Sequence, residues 1–285
     1  MISLILAVLS SSAIALLWKV AEIKKYSSCR IIQFNYLSAT VLSLLFFRYQ
    51  PIITGNDLPG VTLLAFLFGL IFVSSFFLYA TNISANGAIL SSSVSKMGIL
   101  IPVFLSLVLF RESVTHRQFS GLILGSLSLL LYFSYSAFVS LHLKRNDRHS
   151  LLLLLLLFVS QGLAEMSGKL FGVFFNHSLR PLFLGLLFFF SFLLTSYYII
   201  LTQKNVSGKK EPIFGLLLGV PNFFSSYFLI DAFVSLNSSL VFTFFGVGTI
   251  LVVSILSMLL FKERITKLQV LFLLTILITI WLMQS

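Results

Sequence analysis

The chain has 285 residues, of which 58% are hydrophobic and only 9% are charged. Soluble domains carry about a quarter charged residues, so the composition excludes a soluble protein and predicts an integral membrane protein. The net charge of +11 does not indicate nucleic-acid binding, because the basic residues lie in short loops, where they set membrane orientation. The single cysteine, Cys29, excludes an internal disulfide framework and a cysteine-based metal site.

Apolar runs long enough to cross a membrane core as helices of about 20 residues recur along the whole chain. Ten such runs begin near Ile2, Ile31, Val61, Ala88, Phe119, Leu151, Pro181, Ile213, Leu240 and Leu268. The first run has no positively charged segment before it, which favours a spanning helix over a cleaved signal peptide. The connectors are too short to hold a separate domain. The sequence therefore predicts an all-α integral membrane protein with ten transmembrane helices.

The second half of the chain repeats the first at an offset of 151 positions. The segment LFRESVTHRQ at 109–118 returns as LFKERITKLQ at 260–269, and Asn86 returns as Asn237. Because each copy holds five helices, an odd number, the second copy is expected to lie inverted in the membrane. We predict a first five-helix repeat over 1–141, a connecting loop over 142–149 and a second, inverted five-helix repeat over 150–285.

Loop charges agree with this inversion. The even-numbered loops and both termini contain few basic residues, namely Arg48, Arg111, Arg117 and Arg180. The odd-numbered loops contain the other loop lysines and arginines. Since basic loops face the cytoplasm, the loop charges predict that both termini lie outside.

Three features carry a family resemblance: the ten-helix inverted duplication, the segment Pro102-Val103-Phe104 in the fourth helix, and the repeated connector F-[RK]-E-x-[VI]-T-x-x-Q. Together they resemble the EamA-type branch of the drug/metabolite transporter superfamily. The resemblance implies a secondary transporter with a central cavity between two five-helix bundles, and cytoplasmic termini rather than the external ones that the loop charges predict. Members carry amino acids, sugars, nucleotide conjugates and drugs, so the substrate stays open.

Ionisable side chains inside the predicted spans are candidate functional groups, because a charge at the bilayer centre costs at least about 2.5–3.5 kcal/mol. These residues are Lys96, Glu165, Lys169 and Asp231. Lys96 is either a cationic anchor for a substrate carboxylate or phosphate, or a partner of Glu165 or Asp231 in an internal ion pair. Glu165 and Lys169, one helical turn apart, form either a proton-coupling site or a self-neutralised pair. Asp231 is a second proton carrier or a structural anchor.

Uncharged residues complete the predicted substrate site. They are Ser92, Ser95, Tyr79, Asn222 and Tyr227. The serines precede Lys96, although small residues also permit close helix packing, and the two tyrosines are equally suited to aromatic packing. Pro221 next to Asn222 indicates a kink or a hinge.

Catalytic motifs of the P-loop, GxSxG and HExxH types are missing from the sequence, and the histidines are scattered. We therefore expect no enzyme, no cofactor and no metal site. The favoured function is a secondary transporter for a small organic metabolite, anionic or zwitterionic because of the internal lysine, with proton coupling or exchange. The alternatives are a hydrophobic cation or drug exporter, a lipid-linked substrate translocator and a non-transporting scaffold.

The expected setting is the bacterial inner membrane. The expected partners are a small-molecule substrate and membrane lipid, without nucleic acid. The protein is expected to be a monomer or a homodimer, and Gly121 and Gly125 form a weak helix-contact motif that hints at dimerisation.

Overall fold

A computed structural model describes residues 1–47, 57–86, 91, 94–95, 97–141, 148–202, 210–261, 274–275, 278–279 and 281–282. Throughout this described part of the chain the regular structure is helical. The helices are α1 (Ile2–Ile23), α2 (Ser28–Phe47), α3 (Leu58–Asn86), α4 (Leu100–Val108), α5 (His116–Leu141), α6 (Arg148–Phe174), α7 (Arg180–Leu201), α8 (Lys210–Ser235) and α9 (Ser238–Phe261), with a short 3-10 turn at His177–Leu179 before α7.

Seven of the described helical segments are long and apolar enough to cross a membrane. They belong to α1, α2, α3, α6, α7, α8 and α9. Only 33–39% of each span is buried inside the protein, so most of its apolar surface is left for lipid. The chain is therefore a multi-pass integral membrane protein.

The predicted spans and the observed helices follow the same order along the described chain. Except for the fourth, the first nine predicted starts lie within three residues of an observed helix start. The tenth predicted span, from near Leu268, lies mostly outside the described residues. The count of ten spans and their inverted arrangement stay predictions.

The fourth predicted span, expected to run from near Ala88, is interrupted by a turn at Gly98 and Ile99, and α4 begins only at Leu100. Pro102 explains this break, because it has no N–H to donate to the carbonyl group four residues earlier. The carbonyl oxygen of Gly98 instead accepts a hydrogen bond from the backbone N–H of Ile101 at 3.0 Å. A regular helix is thus replaced locally by a tighter turn.

The chain divides into two compact units. Unit 1 comprises residues 1–73 and 167–234, and unit 2 comprises residues 74–166 and 235–285. Of the three boundaries, two fall within helices, since α3 and α6 each contribute one end to unit 1 and the other end to unit 2, and the third falls at the last residue of α8.

In unit 1, α2 and α8 touch through two glycines one turn apart. A Cβ atom added at Gly219 would lie 2.5 Å from the carbonyl oxygen of Asn35, and one added at Gly215 would collide with the carbonyl oxygen of Ile31. Small residues at this spacing let helix backbones approach closely in membranes. One turn further along α8, the side-chain amide of Asn222 donates to Asn35 Oδ1 at 3.1 Å, so a polar contact extends the same interface.

In unit 2, the connector between α4 and α5 supplies caps for two helices. Thr115 and Gln118 each accept a hydrogen bond from the other's backbone N–H, at 3.2 and 3.1 Å, which is a capping box at the start of α5. Glu112 accepts from the backbone N–H groups of Ser238 and Ser239, at 2.9 and 2.8 Å, at the start of α9. The repeated connector motif thus contains residues that begin helices. Its second copy, at 260–269, lies almost entirely outside the described residues.

Candidate functional site

Two helical segments of unit 2 cross at a pair of glycines. A Cβ atom added at Gly162 of α6 would lie 2.6 Å from the carbonyl oxygen of Gly98. One added at Gly98 would lie 2.9 Å from the backbone nitrogen of Gly162. Backbones can approach this closely only where both residues lack a side chain. The turn before α4 is therefore held directly against α6.

A cavity of about 20 Å³ lies beside this crossing, inside unit 2. Its lining residues are Ser95, Ile99, Gln161, Glu165, Phe245, Gly246 and Thr249. Four of these side chains are polar, and they come from the segment before α4, from α6 and from α9. Polar groups from three parts of the chain therefore converge among apolar helices.

Hydrogen bonding at the cavity differs from one polar group to the next. The amide oxygen of Gln161 accepts from the hydroxyl of Ser75 on α3, at 2.9 Å. Thr249 is 1% exposed, and its hydroxyl has no hydrogen-bond partner within the described part of the protein. A buried hydroxyl left unpaired costs about 1–3 kcal/mol of folding free energy, so the hydroxyl of Thr249 destabilises the folded protein.

Unit 1 contains a separate polar cluster built around Arg180. Arg180 Nη1 lies 2.5 Å from Asp231 Oδ1, and the second oxygen of Asp231 accepts from the hydroxyl of Ser3 at 2.6 Å. The guanidinium group lies over the ring of Tyr227, 3.9 Å from its centroid, and donates at 3.3 Å to the carbonyl and hydroxyl oxygens of that residue. This cluster ties the first turns of α1 and α7 to the last turns of α8.

The structure brings together two of the predicted site residues, Ser95 and Glu165, on the wall of one cavity. Tyr79, also in unit 2, packs against the buried side chains of Val94, Leu154 and Leu157. Lys96 and Ser92 lie outside the described residues, so their predicted contacts stay predictions.

The other predicted residues lie in unit 1. Asn222 contacts Asn35, while Tyr227 and Asp231 belong to the Arg180 cluster. Lys169 follows Glu165 by one turn of α6, as predicted from its spacing, and lies in the part of that helix that belongs to unit 1.

Sequence reasoning missed several residues of these sites. The sequence predicts Arg180 as a loop residue, whereas in the structure its guanidinium binds Asp231. Gln161 carried a usable signal, because it is a polar residue inside an otherwise apolar run. The roles of Gly98, Gly162 and Thr249 gave no such signal, since glycine and threonine are common in membrane helices.

No group of three His, Cys, Asp or Glu side chains within the described ranges is placed to hold a metal ion. The polar groups at the cavity are hydroxyl, amide and carboxyl groups, which can bind hydrogen-bonding or charged small molecules and can exchange protons.

Comparisons with known proteins place the chain among similar folds. No family model matches it. An uncharacterized protein of Haemophilus influenzae is 26% identical over 292 aligned positions, covering 94% of this chain and 92% of the relative. A protein of known crystal structure matches with a TM-score of 0.74 at 13% identity, covering 99% of this chain and 94% of the other. The chain therefore shares its helical fold, over nearly its whole length, with a protein of known structure.

Proposed function

We propose that this protein is a secondary transporter that moves a small anionic or zwitterionic metabolite across the membrane by alternating access. The polar residues that line the cavity of unit 2 carry this proposal. The cavity itself, at about 20 Å³, is smaller than an organic molecule, so the proposal requires the site to widen during alternating access. Ionisable groups inside membrane proteins mark substrate or ion pathways, and interrupted helices at membrane depth occur where backbone is buried in protein or lines a cavity. Here Glu165 lies on the cavity wall, and the turn at Gly98 interrupts a helical segment beside it.

The proposed substrate class depends on Lys96. This lysine follows Ser95 in the sequence, and Ser95 lines the cavity. A lysine next to a cavity-lining residue in the sequence is a candidate to bind a carboxylate or a phosphate. Glu165 then serves as the internal counter-charge that the substrate displaces, or as the carrier of a coupling proton.

The family and setting form part of the same proposal. The repeated connector and the inverted five-helix repeats resemble EamA-type transporters of the drug/metabolite superfamily. The relative from Haemophilus influenzae supports a bacterial source, and the apolar helices support a membrane setting, so the proposed location is a bacterial inner membrane. In this proposal the protein works with a small-molecule substrate in membrane lipid, as a monomer or a homodimer.

A ligand-stabilisation screen tests the substrate class. A ligand that binds the folded state raises apparent stability by mass action, so purified protein is heated with amino acids, organic acids, sugar phosphates, nucleosides or hydrophobic cations. Lys96→Ala is compared with Lys210→Ala, which removes an exposed lysine at the start of α8. We expect anions to stabilise the wild type and Lys210→Ala but not Lys96→Ala.

Transport itself is tested with the best stabilising ligand in proteoliposomes. We expect Glu165→Gln to lose most of the flux while remaining folded, because the substitution keeps the size of the side chain and removes its charge. In the ligand screen, equal stabilisation of the wild type, Lys96→Ala and Lys210→Ala by hydrophobic cations would instead favour a drug exporter. If no ligand stabilises the wild type and buried-charge variants change stability alone, the protein is a scaffold.

A further inference from the structure

An open groove lies between α4 and α5 on the surface of unit 2. Its volume is about 350 Å³, within the range of about 300–1,000 Å³ that small-molecule sites occupy. Apart from Ser126 the lining is aliphatic and aromatic, and it includes Phe104 from α4 and Phe119, Ile123 and Leu127 from α5. These four side chains are 47–63% exposed. On a membrane protein, such a surface is suited to the acyl chain of a lipid.

The length of the groove matches the hydrocarbon depth of one lipid leaflet. On α5 the lining runs from Phe119 to Leu127, which is about 12 Å of helix at 1.5 Å per residue. One leaflet contributes about 15 Å, half of the roughly 30 Å hydrocarbon core. The groove can therefore hold most of one extended acyl chain.

Basic residues lie at one end of this groove. The connector between α4 and α5 joins the two helices that line the groove, so it lies at their shared end. Arg111 in the connector and His116 and Arg117 in the first turn of α5 are exposed, and that turn has no acidic residue. In the part of the chain that the structure describes, none of these three side chains forms an ion pair with a carboxylate. Two permanent positive charges are thus available to a ligand.

Trp281 indicates that this end of the groove lies at the level of the lipid head groups. Its ring is 61% exposed, and tryptophan is enriched at the membrane–water interface. The guanidinium of Arg117 lies over this ring, with Cζ 4.2 Å from the centroid. Stacking uses the face of the guanidinium, whereas its N–H donors lie in its plane. Those donors can therefore bind phosphate oxygens while the ring contact is kept.

We propose that unit 2 binds an anionic phospholipid, with one acyl chain in the groove between α4 and α5 and the phosphate at Arg111 and Arg117. Arginine binds phosphate through paired, charge-assisted hydrogen bonds, and basic pockets between membrane helices bind anionic head groups. A zwitterionic lipid fits less well, because the same two arginines repel its ammonium group.

A second copy of the chain is a poorer occupant of the groove. A two-fold contact places the same surface on both subunits, so it would bring the arginines of two copies together. The glycine motif of α5 does not favour such a contact either. A Cβ atom added at Gly125 would lie 2.9 Å from side-chain atoms of Thr243 and Thr279, so this glycine packs inside its own unit.

The test measures how far dioleoylphosphatidylglycerol raises the unfolding temperature of delipidated protein in detergent. Dioleoylphosphatidylcholine is the zwitterionic lipid with the same chains. A lipid that binds the folded state raises apparent stability by mass action, so its concentration dependence gives the affinity. Arg111→Gln/Arg117→Gln is compared with Lys24→Gln/Lys25→Gln, which also removes two exposed positive charges beside a helix end. The pairs match in backbone too, since φ is 48° at Arg111 and 54° at Lys25.

We expect the wild type and the lysine double variant to bind the anionic lipid more tightly than the zwitterionic one. The arginine double variant should bind the anionic lipid about 30-fold more weakly, from about 1 kcal/mol for each basic residue near an anionic surface. Ile123→Trp, which fills the groove, should weaken binding although both arginines remain. Glycerol phosphate, a head group without chains, should not stabilise any of these proteins. Because the two lipids are compared within each variant, a change in a variant's own stability does not affect the result.

Three results would overturn the proposal. Equal stabilisation by both lipids, or equal losses in the two double variants, would show that no specific anionic site exists. Stabilisation by glycerol phosphate as large as that by the lipid would show an anion site that does not use the groove. A wild type that is dimeric in detergent and becomes monomeric on Ile123→Trp would show that a second copy fills the groove. None of these measurements involves a transported substrate, so the lipid site and the proposed transport function are tested separately.

Discussion

Gly162→Ala should disrupt the crossing that forms the cavity of unit 2. The new Cβ atom would lie 2.6 Å from the carbonyl oxygen of Gly98 and 2.6 Å from Cδ1 of Ile101. Ordinary van der Waals contact begins at 3.4 Å, so the segments must separate by about 0.8 Å (3.4 − 2.6). Overpacking of this kind costs about 1–3 kcal/mol, and a contact with backbone belongs at the upper end of that range. Alanine has a higher helix propensity than glycine, which stabilises the folded state by about 1 kcal/mol. The expected net loss in the free energy of unfolding is therefore about 2 kcal/mol.

The assay is reversible unfolding of the purified protein in mixed detergent micelles, with helix content as the signal. Gly172→Ala is the matched control, because it is the same substitution in the same helix and its nearest neighbour is a side-chain atom of His177 at 3.3 Å. We expect this control to match or exceed the wild type in stability. If Gly162→Ala is as stable as Gly172→Ala, the two segments do not touch in the way described here.

Other contacts give predictions of smaller size. Arg180→Lys keeps a positive charge but loses the stacking on Tyr227, so we expect a loss of about 1 kcal/mol in the unfolding assay; unchanged stability would show that charge alone matters there. Glu112→Ala removes the acceptor for two N–H groups of α9 and should cost about 1–2 kcal/mol, with Glu112→Gln intermediate. Asn222→Ala and Asn35→Ala should each cost about 0.6 kcal/mol and be non-additive when combined, whereas additive losses would argue against their hydrogen bond.

The positions of the helices could be predicted because the membrane imposes a strong and simple constraint. Every backbone polar group must be satisfied within a helix, so a long apolar run between charged connectors has few alternatives. The start of α8, for example, follows directly from the end of a basic connector. The break before α4 was harder to predict, because Pro102 is tolerated in many membrane helices and disrupts only the hydrogen bond to Gly98.

The site was harder to predict than the helices. Ser95 and Glu165 were both candidates, but their meeting on one cavity wall depends on which helix faces touch. That choice is made by the contact between Gly98 and Gly162, and a glycine pair distant in sequence leaves no periodic pattern. Arg180 was hard to predict for a different reason. A basic residue at the start of a span can either lie at the membrane surface or bind a carboxylate of another helix, and the sequence does not distinguish the two.

The carboxylate of Glu112 has one further consequence. It holds the backbone N–H groups of Ser238 and Ser239 from a different part of the chain, so those two hydrogens can exchange with solvent deuterium only when the connector detaches from α9. Their exchange rate therefore measures how often the connector between α4 and α5 separates from the start of α9. A substrate or an inhibitor that locks this end shut would slow exchange at these amides, which gives a direct readout of conformational state without a transport assay.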